Sequence, residues 1–132
     1  MSIDASVGFL RRVLFADALS CAAMGIVLCV FDDQAASILA LPVQLLSQAE
    51  VLLPFAAFVA YVASRAMPSR KAVWAIMAVN AVWIVESVLL LFSGWIEPNL
   101  LGQAFIVTQA AFVLVLTELE YVGLKRSALA TQ

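Results

Sequence analysis

Residues 13–31 read VLFADALSCAAMGIVLCVF, an apolar run of 19 residues that contains one charged side chain, Asp17. A helix of about 20 apolar residues crosses the ~30 Å hydrocarbon layer of a bilayer, whereas strands and amphipathic surface helices lack unbroken apolar runs of this length. A cleaved signal peptide has a shorter apolar region, of roughly 7–15 residues, and a small-residue cleavage site. We therefore interpret these residues as the first membrane span.

Three further apolar stretches follow the first span. Hydrophobic residues make up 65% and charged residues 12% of the 132 residues, and the mean hydropathy is +1.07. Soluble domains are about half apolar and about a quarter charged. Spans are predicted at about residues 13–31, 50–66, 72–92 and 101–122. We therefore predict an all-α polytopic membrane protein, with a single transmembrane domain over residues 1–132 built as a four-helix up-down-up-down bundle.

The basic residues predict the orientation of this bundle. All seven fall on one side of the predicted spans: Arg11, Arg12, Arg65, Arg70, Lys71, Lys125 and Arg126. The opposite side carries acidic residues and no Lys or Arg. The positive-inside rule then places the chain in a bacterial inner membrane with both termini in the cytoplasm. The net charge of −2 argues against a nucleic-acid partner, which needs a basic face, and leaves the lipid bilayer as the expected partner.

The connections between spans carry helix-boundary signals. The first outer loop, residues 32–48, is too apolar for a free loop, so we expect one or two short interfacial helices broken at Pro42. Ser47 and Glu50 have the spacing of a capping box before the second span. Ser69 can cap the third span, and Pro98 stands where the first residue of the fourth helix is expected.

Several kinds of chemistry lack their usual residues. The chain has no histidine, which removes histidine-ligated haem, most zinc sites and the commonest general base. Cys21 and Cys29 lie about 12 Å apart along a helix, too far to form a disulfide. No acid pair is expected at a shared depth. We therefore predict no catalytic residue, no cofactor and no metal site, and a protein that is not an enzyme.

Glu86 is the leading candidate for a functional residue. It lies roughly 10 Å below the outer surface, at 1.5 Å per residue, and no basic residue lies within several turns. An isolated carboxylate there is costly, so the side chain should be neutral or bind a cation. Two interpretations stay open: a proton or ligand site formed with Gln109, Thr108 and Asn80, or a neutral Glu86 that is hydrogen-bonded to Gln109 and holds two spans together.

Asp17 and Glu118 are secondary candidates for such a site. Both lie close to the predicted cytoplasmic surface, Asp17 only about 6 Å from the inner end of its span. Their side chains can therefore reach headgroup water or pair with neighbouring basic residues. The expected partners are Arg11, Arg12, Lys125 and Arg126.

Three segments carry a resemblance to a known group of proteins. They are residues 53–60 (LPFAAFVA), 80–87 (NAVWIVES) and 118–126 (ELEYVGLKR). With these segments the chain resembles small uncharacterised four-span integral membrane proteins of proteobacteria, and the similarity runs through most of its length. The resemblance implies four spans and adds no chemistry, because no activity is assigned to that group.

Two functions from different classes are compatible with these residues. The first is a non-enzymatic accessory, binding or structural subunit of the inner membrane, whose buried polar residues hold helices together. The second is a dimeric proton-coupled transporter of a small solute or cation that uses Glu86. A homo-oligomer or a larger membrane complex fits either function.

Overall fold

The computed structural model describes residues 3–42 and 48–130, and every regular element within them is helical. The elements are α1 (Ile3–Val30), α2 (Asp32–Leu39), a 3-10 turn (Gln48–Val51), α3 (Leu52–Ser64), α4 (Arg70–Ser93) and α5 (Leu100–Ala130). The all-α class predicted from the apolar runs is therefore confirmed for the described residues.

Three of these helices are long and apolar enough to cross a membrane. The qualifying segments are Ala5–Val30, Arg70–Ser93 and Leu100–Ser127, with mean hydropathies of 2.3, 2.1 and 1.9. In the most apolar 18-residue stretch of each segment, only 33%, 22% and 22% is buried inside the protein. Most of their apolar side chains therefore face outward, which suits lipid as the surrounding solvent and identifies a membrane protein.

The predicted second span differs from the other three. Its helix, α3, has 13 residues and ends at Ser64. At 1.5 Å per residue α3 is about 20 Å long, shorter than the ~30 Å hydrocarbon layer. A 3-10 turn of four residues, Gln48–Val51, leads directly into it. A crossing by this segment stays a prediction, because α3 alone is too short.

Helix α1 is the centre of the arrangement, since it packs against α3 and α5, while α4 packs mainly against α5. Arg11 Nε of α1 donates to the carbonyl of Ala63 at the end of α3, at 2.8 Å. Arg70 Nη1 at the start of α4 donates to the carbonyl of Leu124 late in α5, at 3.2 Å. The start of α1, the end of α3, the start of α4 and the end of α5 thus lie together, and we call this the basic end.

The core is divided into two apolar clusters. At the basic end the buried members are Leu10, Leu14, Ala18, Val59, Val62, Ala63, Val73, Ile76, Met77 and Leu124. At the opposite end they are Leu28, Leu39, Leu41, Leu52, Ile96 and Ile106. Buried polar side chains of α1, α4 and α5 lie at the inner edge of the basic-end cluster. This division positions the candidate site.

The first outer loop contains the short helix that its composition predicts. Helix α2 ends where Ala40 adopts the left-handed conformation, with φ of 55°, just before Pro42. Leu39 and Leu41 are buried against the rest of the chain. Asn99 ties this helix to the start of α5, because its Nδ2 donates to the carbonyl of Ile38 at 2.8 Å. Residues 43–47 lie outside the described part.

The predicted helix starts have mixed outcomes. Ser69 caps α4 as expected, and its Oγ accepts from the amide of Ala72 at 3.4 Å. The prediction for Pro98 is wrong, because α5 begins at Leu100 and the Asn99 side chain accepts from the amide of Gly102 at 2.8 Å. The predicted capping box involves Ser47, which is outside the described residues, and α3 itself has no side-chain cap.

Candidate functional site

A buried cluster of three polar side chains joins three helices at the inner edge of the basic-end apolar cluster. Asp17 of α1, Asn80 of α4 and Glu120 of α5 have exposed fractions of 1%, 4% and 0%. Asn80 Nδ2 donates to Asp17 Oδ2 at 3.0 Å and to Glu120 Oε1 at 3.2 Å. One amide nitrogen therefore bridges two carboxyl groups, which we call the carboxyl pair.

Each member of the cluster occupies a core-facing position of its own helix. Residues three, four or seven apart share one face of a helix. Asp17 follows the buried Leu14 by three residues, and Glu120 precedes the buried Leu124 by four. Asn80 follows the buried Ile76 by four. The face of each helix that packs into the basic-end cluster therefore also carries one of these three polar side chains.

The carboxyl pair has no positive partner among the described residues. The guanidinium groups of Arg11 and Arg70 donate instead to the backbone carbonyls of Ala63 and Leu124. Glu120 Oε2 is buried and has no hydrogen-bond donor among the described residues. Two uncompensated carboxylates removed from water are very unfavourable, so the arrangement is complementary to an added proton or cation.

Cys21 completes the surroundings of Asp17. Its Sγ lies 3.5 Å from Asp17 Oδ1, one turn along α1, in the position of a weak thiol donor. Cys21 and Cys29 are both free cysteines. The described residues contain no group of three or more His, Cys, Asp or Glu side chains arranged to hold a metal ion.

A second polar group lies toward the opposite end. Trp83 Nε1 of α4 donates to Gln109 Oε1 of α5, so this deeply placed indole has the partner that an amphipathic ring needs. Gln109 Nε2 donates to Ser87 Oγ at 3.0 Å and to the carbonyl of Ile106 at 2.9 Å. The donors and the acceptor of the Gln109 amide are therefore used within this group.

Glu86 does not form the hydrogen bond that was predicted for it. Its side chain is exposed and borders a pocket of about 100 Å³ together with Trp83, Ser87 and Gln109. Gln109 bonds to Trp83 and Ser87 instead, and Thr108 is exposed. Because Asn80 bonds to the carboxyl pair, the four residues of the predicted site (Glu86, Gln109, Thr108 and Asn80) form no single cluster. Whether Glu86 acts as a proton or ligand site stays a prediction.

The expectation for Asp17 is wrong, because its side chain does not reach surface water or a basic residue. It is 1% exposed and is turned to the core. Glu118 remains exposed. The carboxylate that joins Asp17 is Glu120, which was not selected as a candidate, so the expectation of no acid pair at a shared depth is also wrong. Glu118 and Glu120 are two residues apart and therefore point to different sides of α5.

A cavity of about 300 Å³ adjoins the carboxyl pair. Residues of α1, α3, α4 and α5 form its wall, and its polar part consists of Ser20, Cys21, Asn80 and Gln109. A volume of this size is at the lower end of the range for small-ligand sites. Asn80 therefore contacts both the buried carboxyls and a space that a small molecule can occupy.

Comparison with protein-family models, with curated proteins and with solved structures gives no match for this chain. The candidate site therefore rests on its own geometry: two buried carboxyls, one bridging amide and an adjoining cavity.

Proposed function

We propose that this chain is a small, non-enzymatic inner-membrane protein of the binding class, whose working centre is a proton shared by Asp17 and Glu120. The observation that carries the proposal is a fully buried carboxyl pair on a single amide, with no cation beside it in the described part of the chain. Ionisable residues inside spans are rare and are functional more often than not.

Hydrogen bonding supports a single shared proton. Asn80 supplies two N–H groups, one for each carboxyl, and the thiol of Cys21 supplies a weak third donor to Asp17. Glu120 Oε2 is left without a donor. A proton on the pair provides the missing donor and removes one of two negative charges, whose burial costs several kcal/mol each. The pair then keeps a net charge of −1.

The infrared spectrum of the purified protein in lipid tests this shared proton. At neutral pH the wild type is expected to show the carbonyl stretch of a protonated carboxylic acid, which is absent from ionised carboxylates. In Glu120→Gln this band should disappear or shift, because the pair no longer exists. Glu86→Gln is the matched control, since it removes another intramembrane glutamate that is exposed, and it should leave the band unchanged. A band that persists in Glu120→Gln and disappears in Glu86→Gln contradicts the proposal and favours a proton on Glu86.

We further propose four spans, with the basic end in the cytoplasm. The 3-10 turn and α3 together extend about 28 Å, at about 2.0 and 1.5 Å per residue, which nearly matches the hydrocarbon thickness. The basic residues of α1, α4 and α5 lie at one end of the bundle, as the positive-inside rule requires. Both termini are then cytoplasmic.

Alkaline phosphatase fusions test this topology, including the short second span. Fusions after Asp33, Glu50 and Glu97 should be active, and fusions after Ser69 and Arg126 inactive, because the enzyme folds only outside the cytoplasm. The pair at Glu50 and Ser69 brackets α3 alone. Activity after Ser69 would mean that α3 does not cross, and a full reversal would overturn the orientation.

The dimeric carrier that uses Glu86 remains a second candidate. Glu86 is exposed on a face of α4 where Val82, Val85 and Leu89 are 56%, 56% and 61% exposed. A carboxyl on such a face is costly in contact with lipid, so coverage by a second copy of the chain or another membrane subunit is favourable. The two glutamine variants in the infrared experiment separate this candidate from the first.

A further inference from the structure

The cavity beside Asn80 has the character of a binding site with one polar end. Its walls from α3 and α5 are apolar except for Gln109, whose amide is already hydrogen-bonded, and they include Leu52, Phe55 and Val113. Its polar end contains Asn80 and Cys21, and both donate to the carboxyl pair. A ligand that fits this shape has an apolar body and a single polar head.

The free polar atom at that end is an acceptor. Both N–H directions of Asn80 Nδ2 are taken up by Asp17 and Glu120, so the amide has only Oδ1 left for a ligand. Oδ1 accepts no hydrogen bond from the described residues, and the Asn80 side chain is 96% buried, since its exposed fraction is 4%. The site therefore offers an acceptor and no donor to a polar head.

The charge around the cavity favours a cation. The lining from the 3-10 turn, α3, α4 and α5 contains no basic or acidic side chain, and the thiol of Cys21 is the one titratable group that α1 contributes. The carboxyl pair lies one side chain away from the lining, through Asn80. In a low-dielectric interior a negative charge at this distance attracts a cation strongly.

We propose that this cavity binds a small organic amine, with its apolar body against Leu52, Phe55 and Val113 and its N–H donating to Asn80 Oδ1. The proposal rests on the proposed function, because the net negative charge comes from the carboxyl pair. A lipid acyl chain is the competing occupant, and it needs neither a donor nor a positive charge. Probes that differ in charge and in hydrogen-bond donors therefore distinguish an amine site from a space filled by an acyl chain.

The test uses the full chain in lipid vesicles, with Trp74→Phe and Trp95→Phe so that Trp83, which lines the cavity, is the only tryptophan and can be excited selectively. Four probes of similar size are titrated. Benzylamine is a cation with N–H donors, benzyltrimethylammonium is a cation without them, benzyl alcohol is a neutral donor, and ethylbenzene is neither. We expect saturable binding of benzylamine with a Kd at least tenfold lower than that of the other three.

Two variants on α5 locate the binding. Val113→Phe fills the cavity without changing a polar group and should weaken benzylamine binding at least tenfold. Val115→Phe adds the same ring at a 53% exposed position outside the cavity lining and should leave it unchanged. The double variant Asp17→Asn, Glu120→Gln should weaken benzylamine more than benzyl alcohol, because it removes the net negative charge of the carboxyl pair.

Each outcome decides the proposal. Equal responses to all four probes, or benzylamine binding that Val113→Phe does not weaken, overturn it and identify an apolar space filled by lipid. An absence of benzylamine binding also overturns it, yet leaves the shared proton standing if the infrared band still depends on Glu120. Loss of both the binding and the band removes the proposed function as well.

Discussion

Replacement of Asn80 by leucine is expected to destabilise the protein by about 3–5 kcal/mol, because each buried group left without its partner costs about 1–3 kcal/mol, and more when it is charged. The reason is that Asn80 Nδ2 is the shared donor of Asp17 and Glu120, and both carboxyls lose it at once. The measurement is the detergent composition at half unfolding, with SDS as the denaturant in mixed micelles. The variant should unfold at a markedly lower SDS fraction.

Two further variants show whether the cost comes from the orphaned carboxyls. Gln109→Leu removes a partly buried amide outside the carboxyl pair and should cost about 1 kcal/mol, the usual net value of a hydrogen bond. The triple variant Asp17→Leu, Asn80→Leu, Glu120→Leu replaces the whole cluster by apolar side chains. It should recover wild-type stability or exceed it, because buried charges are seldom stabilising. A triple variant as unstable as Asn80→Leu would show that the cost does not come from the orphaned carboxyls.

Substitution of Gly102 by alanine is expected to detach α2 from the start of α5. A Cβ atom at position 102 would clash with the carbonyl oxygen of Leu39, and a backbone atom cannot move aside as a flexible side chain can. Overpacking of this kind costs about 1–3 kcal/mol. Amide hydrogen exchange should therefore become faster across Asp32–Leu39, and the SDS midpoint should fall.

The matched control is Gly8→Ala in α1, where an added Cβ has no atom within 4 Å. Alanine is favoured over glycine in a helix by up to about 1 kcal/mol, so this variant should be neutral or slightly stabilising. Equal behaviour of Gly8→Ala and Gly102→Ala would contradict the close approach of α2 to α5.

The sequence by itself determined the features that depend on local composition and spacing. Long apolar runs require helices in lipid, because every backbone N–H and C=O must bond within its own segment. The cap at Ser69 and the end of α2 before Pro42 are also local, since each depends on a few neighbouring residues. These are the parts of the fold that the sequence predicts correctly.

Only the tertiary structure decided which side of each helix faces inward. In a soluble helix the polar side reveals the apolar core face, but these helices are apolar on nearly all sides, so their sequence carries little such signal. From the sequence, Glu118 and Glu120 are equally plausible as the residue that faces the core. Packing buries Glu120 and leaves Glu118 exposed. Asn80 meets partners 63 and 40 residues away along the chain. Arg11 donates to Ala63 and not to Asp17, because the close packing of α1 on α3 brings that carbonyl within reach.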